Sequence, residues 1–389
     1  MKSLRSLFAS CLFLLLVATP VFACDQTQCE SKKGDEEAYL GCLNDVRTCL
    51  EGKIAETQAQ KETLNSTISV INNKISLQEL SISQTLAEVT KLENDISLLG
   101  ERIQTLNFSL DQLTAMLLKR VRERYKSSVT SPMTTIASSQ TFSQAIASSR
   151  YVNEASQQTA LIMRQAEIQK QLLDSQKEKK QQAQELLEEK KQLLVRQKQE
   201  LASQRAAEQK LLEVTKNNER TYQQLLANAQ AEINSFRNFS SSKTGGALPP
   251  QNSPDGWYFS QRDERWAGMR IANSSENIME VGCLISSTAM IKKKFGENVS
   301  PMTIAANSGY FFASTAYMLR PWPAPSGYYY SSASFSSSLL DQKLAENPVI
   351  VKLSAGPYGT HFIVIKEKSG SDYIMHDPWE GYDKKFGDY

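Results

Sequence analysis

The sequence predicts a long α-helical coiled-coil hairpin followed by a compact α+β domain, and three observations carry that prediction. Chain breakers are segregated: between Lys53 and Thr244 the 389-residue chain holds one glycine, Gly100, and one proline, Pro132. Aromatic residues are segregated the other way, with all 4 Trp and 10 of the 14 Tyr lying after residue 256. Finally, an apolar residue recurs at every seventh position: Ile68, Ile75, Ile82, Val89, Ile96, Ile103, Leu110 and Leu117. Leu64, Ile71, Leu92, Leu99, Leu106 and Leu113 fill the companion seam position, with Gln78 and Thr85 as polar interruptions. A period of 3.5 residues keeps one stripe facing a partner helix, so this pattern predicts a coiled coil.

In chain order, the first element is a leader. Lys2 and Arg5 precede an apolar run from Leu7 to Val17, followed by Pro20 and Val21-Phe22-Ala23. A charged start, a short apolar stretch and a small residue at the cut site predict a secretory signal peptide over 1–23. The run is too short to span a bilayer. Without Lys2 and Arg5 the 44 basic residues fall to 42, equal to the 42 acidic ones. That balance excludes nucleic acid or a polybasic contact with membrane as the main partner.

Cys11 leaves with the leader, Cys24, Cys29, Cys42 and Cys49 cluster, and Cys283 stands alone downstream. An even cluster in an exported chain predicts a disulfide-linked segment over 24–52. Three pairings are open. The nested one, Cys24–Cys49 with Cys29–Cys42, suits two short helices folded back around Ser31–Asp35. A four-Cys zinc site fits less well: its ligand pairs sit two to four residues apart, whereas the intervals here are four, twelve and six.

The hairpin occupies 53–237. Its second arm, from about Val152 to Phe236, is rich in Gln, Lys and Glu, with Leu172, Leu187, Leu194 and Leu201 as seam candidates. Between the arms, Ser127–Ser149 is Ser/Thr-rich yet carries Met133, Ile136, Phe142 and Ile146, which predicts a hairpin tip near 127–150. At 1.5 Å per residue the arms are expected to run on the order of 110–130 Å. Arg122-Glu-Arg-Tyr125 through Ser138-Ser-Gln-Thr-Phe142-Ser resembles the coiled-coil regions of bacterial cell-division murein-hydrolase proteins. That resemblance implies a wall-associated role and a membrane ABC-type complex as the partner at the tip.

Asn238–Asp255, with Gly245-Gly246 and Pro249-Pro250, reads as a flexible linker over 238–255. The remainder, 256–389, is long enough for one core. Cys283–Phe295 is an expected helix; Val349–Leu353, His361–Ile365 and Tyr373–Asp377 are expected strands, the last two joined as a hairpin. Chemistry candidates are few, because the chain has only two His and one mature Cys outside the cluster. Cys283 opens a helix, where backbone N–H groups favour thiolate. A three-residue loop at 368–370 places Asp377 opposite His361 on one face of the sheet, where a carboxylate would orient the imidazole. In the same register His376 points to the other face. Each residue alone has a bland explanation: buried packing for the Cys, a structural hydrogen bond for the His, a turn for Asp377-Pro378. Together they point to a nucleophile, base and orienter.

Tyr258-Phe-Ser-Gln-Arg-Asp-Glu-Arg-Trp266, Gly282-Cys283, Pro348-Val-Ile-Val351, Gly359-Thr-His361-Phe-Ile-Val364 and His376-Asp-Pro-Trp379 resemble the peptidase C-thirty-nine-like family, which are papain-like cysteine peptidases. The resemblance implies Cys283 as nucleophile, His361 as general base, Asp377 as orienter and Gln261 as an oxyanion-hole donor. The chain departs from the family pattern after the Cys, where Leu284-Ile285 stands in place of Gly-Pro. The expected function is therefore a secreted cysteine peptidase acting on wall peptides or exported polypeptides, found at the cell surface, outside the cell or in the periplasm. The alternative is a non-enzymatic surface scaffold, with Trp322 and Tyr328-Tyr-Tyr330 as a binding rim. No metal or organic cofactor is implied.

Overall fold

The computed structural model describes residues 24–59, 62–128, 139 and 141–388. The expected leader, and residues 129–138 and 140 of the expected hairpin tip, lie outside the described residues. A 3-10 turn (Gln26–Lys32) leads into α1 (Glu36–Gln58), whose first turn is capped by the Asp35 carboxylate accepting from the Ala38 N–H at 3.1 Å. Disulfides Cys24–Cys49 and Cys29–Cys42, with Cα separations of 5.6 and 5.7 Å, pin the turn to α1 in the nested pairing. Leu43, Val46 and Leu50 of α1 then pack on Leu80, which belongs to the first arm.

The arms are α2 (Leu64–Ser128) and α3 (Phe142–Thr215), paired with each other. At 65 residues α2 is about 100 Å long. Its seam changes character along that length. Near the base, where further helices cover it, the companion residues Leu64 and Ile71 are 3% and 1% exposed. Further out, the companion residues Leu92, Leu99 and Leu106 are half-buried between two helices, with Leu113 at 8%, while the first-position Ile68, Ile75, Ile96, Ile103, Leu110 and Leu117 are half-buried near the base and far from it. On α3, Leu187, Leu194 and Leu201 are half-buried, but the expected seam residue Leu172 is 46% exposed and Leu173 takes its place at 4%. The companion α3 positions are polar. Gln197 donates to Ser81 Oγ at 2.9 Å, Gln78 donates to the Gln197 carbonyl at 3.0 Å, and Lys190 pairs with Glu88 at 2.6 Å. A seam built of such contacts leaves only half an apolar pattern in the sequence.

The second arm was expected as one helix to Phe236, but it breaks at 216–218. Lys216 and Asn217 adopt left-handed backbone (φ 51° and 52°), and Asn218 caps a new helix, α4 (Glu219–Ser242), accepting from the Thr221 N–H at 3.0 Å. Buried Tyr222, Leu226, Ala229, Ile233, Phe236 and Ser240 recur at three- and four-residue steps along α4. The first three pack at the coiled-coil base with Leu64, Leu211 and Phe312, whereas Ile233 and Phe236 enter the core of the C-terminal domain. The expected flexible linker 238–255 consequently begins inside a helix. Its remainder is docked: the Leu248 N–H donates to the Arg262 carbonyl at 2.7 Å, and the Leu248 carbonyl accepts from Glu264 at 2.9 Å. Ser-, Gly- and Pro-rich composition concealed the anchors Phe239 and Leu248.

The C-terminal domain contains α5 (Ile278–Val281), α6 (Cys283–Lys294), α7 (Pro301–Ala306) and α8 (Ser337–Leu344). Its antiparallel sheet runs β1 (Val349–Ser354), β2 (Thr360–Ser369), β3 (Asp372–Asp377) and β4 (Gly381–Lys385), in that spatial order. The β2–β3 register differs from expectation. The turn is the two residues Gly370-Ser371, with Ser369 facing Asp372. Left uninterrupted, that register would put Asp377 on the face opposite to His361, since side chains alternate. A bulge between Ile365 and Glu367 shifts the ladder by one residue, so that Val364 faces His376. Asp377 therefore returns to the His361 face, diagonally across from it.

Candidate active site

Cys283 sits at the first position of α6, immediately after the turn that closes α5. That turn requires glycine: a Cβ on Gly282 would lie 2.3 Å from the Ile278 carbonyl oxygen. The first-turn N–H groups of α6 have no intrahelical acceptor and converge on the space beside the sulfur. His361 lies at the start of β2, which rests against α6 through Ser287 Oγ donating to the Phe362 carbonyl at 3.4 Å.

His361 Nε2 and Asp377 Oδ1 are 2.9 Å apart. The same carboxylate oxygen accepts from the Trp379 and Glu380 N–H groups at 2.6 and 2.9 Å, so a turn of backbone holds it in place. His361 Nδ1 makes no hydrogen bond to protein. Burial opposes charge on this ring, but the Asp377 charge and hydrogen bond, together with the Cys283 sulfur, raise its pKa to about 9. Gln261 is bracketed between the two halves of the site. Its N–H donates to the Pro378 carbonyl at 2.9 Å and its side-chain amide to the Met279 carbonyl at 2.7 Å, leaving one amide hydrogen. The surrounding motif acts as a strap: Tyr258 OH donates to the Asp377 carbonyl at 3.0 Å and Trp266 Nε1 to the Ser260 carbonyl at 2.7 Å.

His361 thus meets both Asp377 and Cys283, and Gln261 is tied to the residues that follow Asp377 and precede Cys283. The site is covered. Cys283 and His361 are 2% and 1% exposed, and the Phe239 ring of α4 stacks on the imidazole at 4.0 Å and 12°. Gly359, at φ +97°, lets β2 begin hard against α4, where a Cβ would lie 2.0 Å from the Ser235 carbonyl oxygen. Ser235 and Thr360 hydroxyls meet at 3.0 Å, and Glu232 pairs with Lys352 at 2.9 Å. Sequence reasoning assigned Phe239 to a linker and missed this contact. Its only trace was that Phe236 and Phe239 prolong the three- and four-residue spacing of α4.

His376 lies on the other face of the sheet, against Trp257 at 4.2 Å and within 3.1 Å of Asp255. Burial lowers its pKa to about 4, so it is neutral at pH 7. Asp255, His376 and Asp383 bring ligand atoms within 4.8 Å of one another, a grouping that sequence spacing did not reveal. Lys366 Nζ stands 2.5 Å from both carboxylates. An ammonium already supplies the positive charge there, and we assign no metal.

The Peptidase_C39 like family matches residues 257–387. The C-terminal domain is therefore cysteine-peptidase-like. The match covers nearly the whole of that domain, including Gln261, Cys283, His361 and Asp377, and none of the helical arms. No curated protein and no solved structure matches the chain, so the likeness of the arms to murein-hydrolase proteins stands as an expectation from their residues alone. The two disulfides accord with an oxidising, extracytoplasmic setting.

Proposed function

We propose that this chain is an exported thiol peptidase, with Cys283 as nucleophile, His361 as acid and base, Asp377 as orienter and Gln261 as an oxyanion donor. One observation carries the reading: a buried imidazole bonded to a carboxylate through Nε2, with Nδ1 left open and the Cys that begins α6 beside it. A pKa of about 9 makes the ring imidazolium at neutral pH, so it carries the proton that the leaving group needs. The thiolate attacks the scissile carbonyl and a C–S bond forms. The oxygen takes the charge against the Gln261 amide and the first-turn N–H groups of α6. Collapse breaks the C–N bond, and the leaving amine takes the imidazolium proton. Water, deprotonated by the now neutral His361, then cleaves the thioester and restores the thiol. Asp377 holds one tautomer and orientation throughout.

The test is alkylation of Cys283 by an amide-mimicking electrophile in the full chain. Labelling should fall at least tenfold in His361→Ala and remain within about twofold in His376→Ala, since His376 faces away. Equal labelling in all three proteins would favour the alternative, a surface scaffold whose buried Cys is inert.

A further inference from the structure

The cover over the site reveals what the site is shaped to hold. Phe236 of α4 is 5% exposed and packs edge-on against Phe362 at 5.6 Å, in an apolar cup with Val281, Leu284, Ile285 and Met318. Cys283 belongs to the same packed cluster. Three residues on, Phe239 lies flat on His361. Two bulky rings of one segment thus occupy the ground on either side of the nucleophile and base, where a substrate chain must lie for the proposed chemistry.

A row of rings leads outward from the cup. Phe362 meets Trp322 at 5.3 Å, Trp322 meets Tyr330 at 5.3 Å, and the neighbouring Tyr329 is 95% exposed. This is the aromatic stretch that the sequence set apart and that the catalytic residues leave unexplained. Polar contacts frame it, at Glu232–Lys352, at Arg237–Glu276, 3.2 Å, and at the Ser235–Thr360 hydroxyls, 3.0 Å. The floor between these contacts is built of Phe362, Trp322, Leu284, Ile285 and Met318, so it rewards burial of aromatic or branched side chains more than it rewards a glycan or a short peptide of small and acidic residues.

Resting on the peptidase reading, we propose that the groove filled by Phe236 and Phe239 is the substrate cleft. Its two ring positions are subsites for bulky apolar side chains of an unfolded polypeptide, which α4 occupies in substrate's place. The substrate class is then exported polypeptide rather than wall stem peptide. Access requires α4 to leave, so α4 and substrate compete for one surface.

The experiment uses the full chain carrying Phe236→Ala and Phe239→Ala, which empties both positions while leaving the helix. Cys283 alkylation should rise at least tenfold over the unmodified chain. Fluorescein-labelled peptides of equal length are then compared, one set with Phe or Leu and the other limited to Gly, Ala, Glu and Lys. The opened chain should cut the apolar set at least tenfold faster. Trp322→Ala in that background should raise KM for the apolar set several-fold, with alkylation unchanged. Trp322→Phe should restore KM, which guards against a folding artefact. A Cys283→Ser version should still bind the apolar set by anisotropy. Equal cutting of both sets, unaltered KM in Trp322→Ala, or no binding preference in Cys283→Ser would overturn the subsite assignment while His361-dependent alkylation keeps the peptidase reading. Loss of that His361 dependence in the opened chain would overturn the peptidase reading and the cleft with it.

Discussion

The two histidines are shifted in opposite directions by their surroundings, and each shift has a consequence for stability. His361 is raised to about 9, so its contribution is fully present below about pH 6.5 and is lost as pH climbs through 9. His376 is held near 4, so its neutral form contributes above about pH 6.5, and the contribution is lost as pH falls from there toward 4. Between pH 7 and pH 5 the His376 effect amounts to about 2 kcal/mol. Urea unfolding should therefore show a midpoint drop from pH 7 to pH 5 that His376→Gln largely abolishes. The groups facing His376 are Asp255, Asp383 and Lys366; the lysine and the Ser253 hydroxyl keep Asp255 near 2 against its burial, so that carboxylate stays ionised across the window. An identical pH 5 loss in His376→Gln would place the acid sensitivity elsewhere. At this scale the sequence was most legible where residues are rare. Cys283, His361, Asp377 and Gln261 stood out by type and motif, whereas Asp255, Lys366 and Phe239 are common residues whose roles come only from tertiary neighbours.

Elements were legible according to how much of their burial follows one period. The α2 heptads could be read because one helix supplied the apolar half of the seam, while α3 supplied glutamines and lysines. The register of α3 was not legible for that reason: with few apolar residues, a one-residue slip costs little in pattern, and the seam takes Leu173 at 4% exposure while Leu172 is 46% exposed. The β2–β3 hairpin shows a different limit. The loop was placed wrongly, yet His361 and Asp377 still share a face, because the bulge at Ile365/Glu367 converts an odd register into an even one. Alternation alone does not foretell a bulge. Burial along α2 is also uneven outside the seam. Leu80, with α1 packed over it, is 0% exposed, whereas Leu98 on the distal arm is 51% exposed. Leu80→Ala should cost about 2–4 kcal/mol and Leu98→Ala less than about 0.5 kcal/mol. Denaturant midpoints at unchanged slope check this; equal small losses would mean that α1 does not pack on the arm.

For the whole molecule, the decisive element is the one that sequence composition split between an arm and a linker. Helix α4 carries a continuous buried stripe from the coiled-coil base to His361, so arms and C-terminal domain are not separate bodies on a tether. Tyr222, at 0% exposure, ties the near end: its hydroxyl meets the Thr67 hydroxyl at 2.8 Å, and its ring meets Phe312 at 5.7 Å. Seventeen residues later Phe239 covers His361, about 26 Å along the helix. A helix anchored at both ends is loosened at one by release at the other, because each anchor lowers the entropy cost of the second. Tyr222→Ala should accordingly raise Cys283 alkylation about tenfold, although it touches no residue of the site. Leu80→Ala is the control, since it destabilises the α1 packing without acting on α4 and should leave alkylation within about twofold of the unmodified chain. If both substitutions raise it alike, general loosening explains the effect. If Tyr222→Ala leaves it unchanged, Phe239 is held by the C-terminal domain alone, and the arms have no leverage on the site through α4.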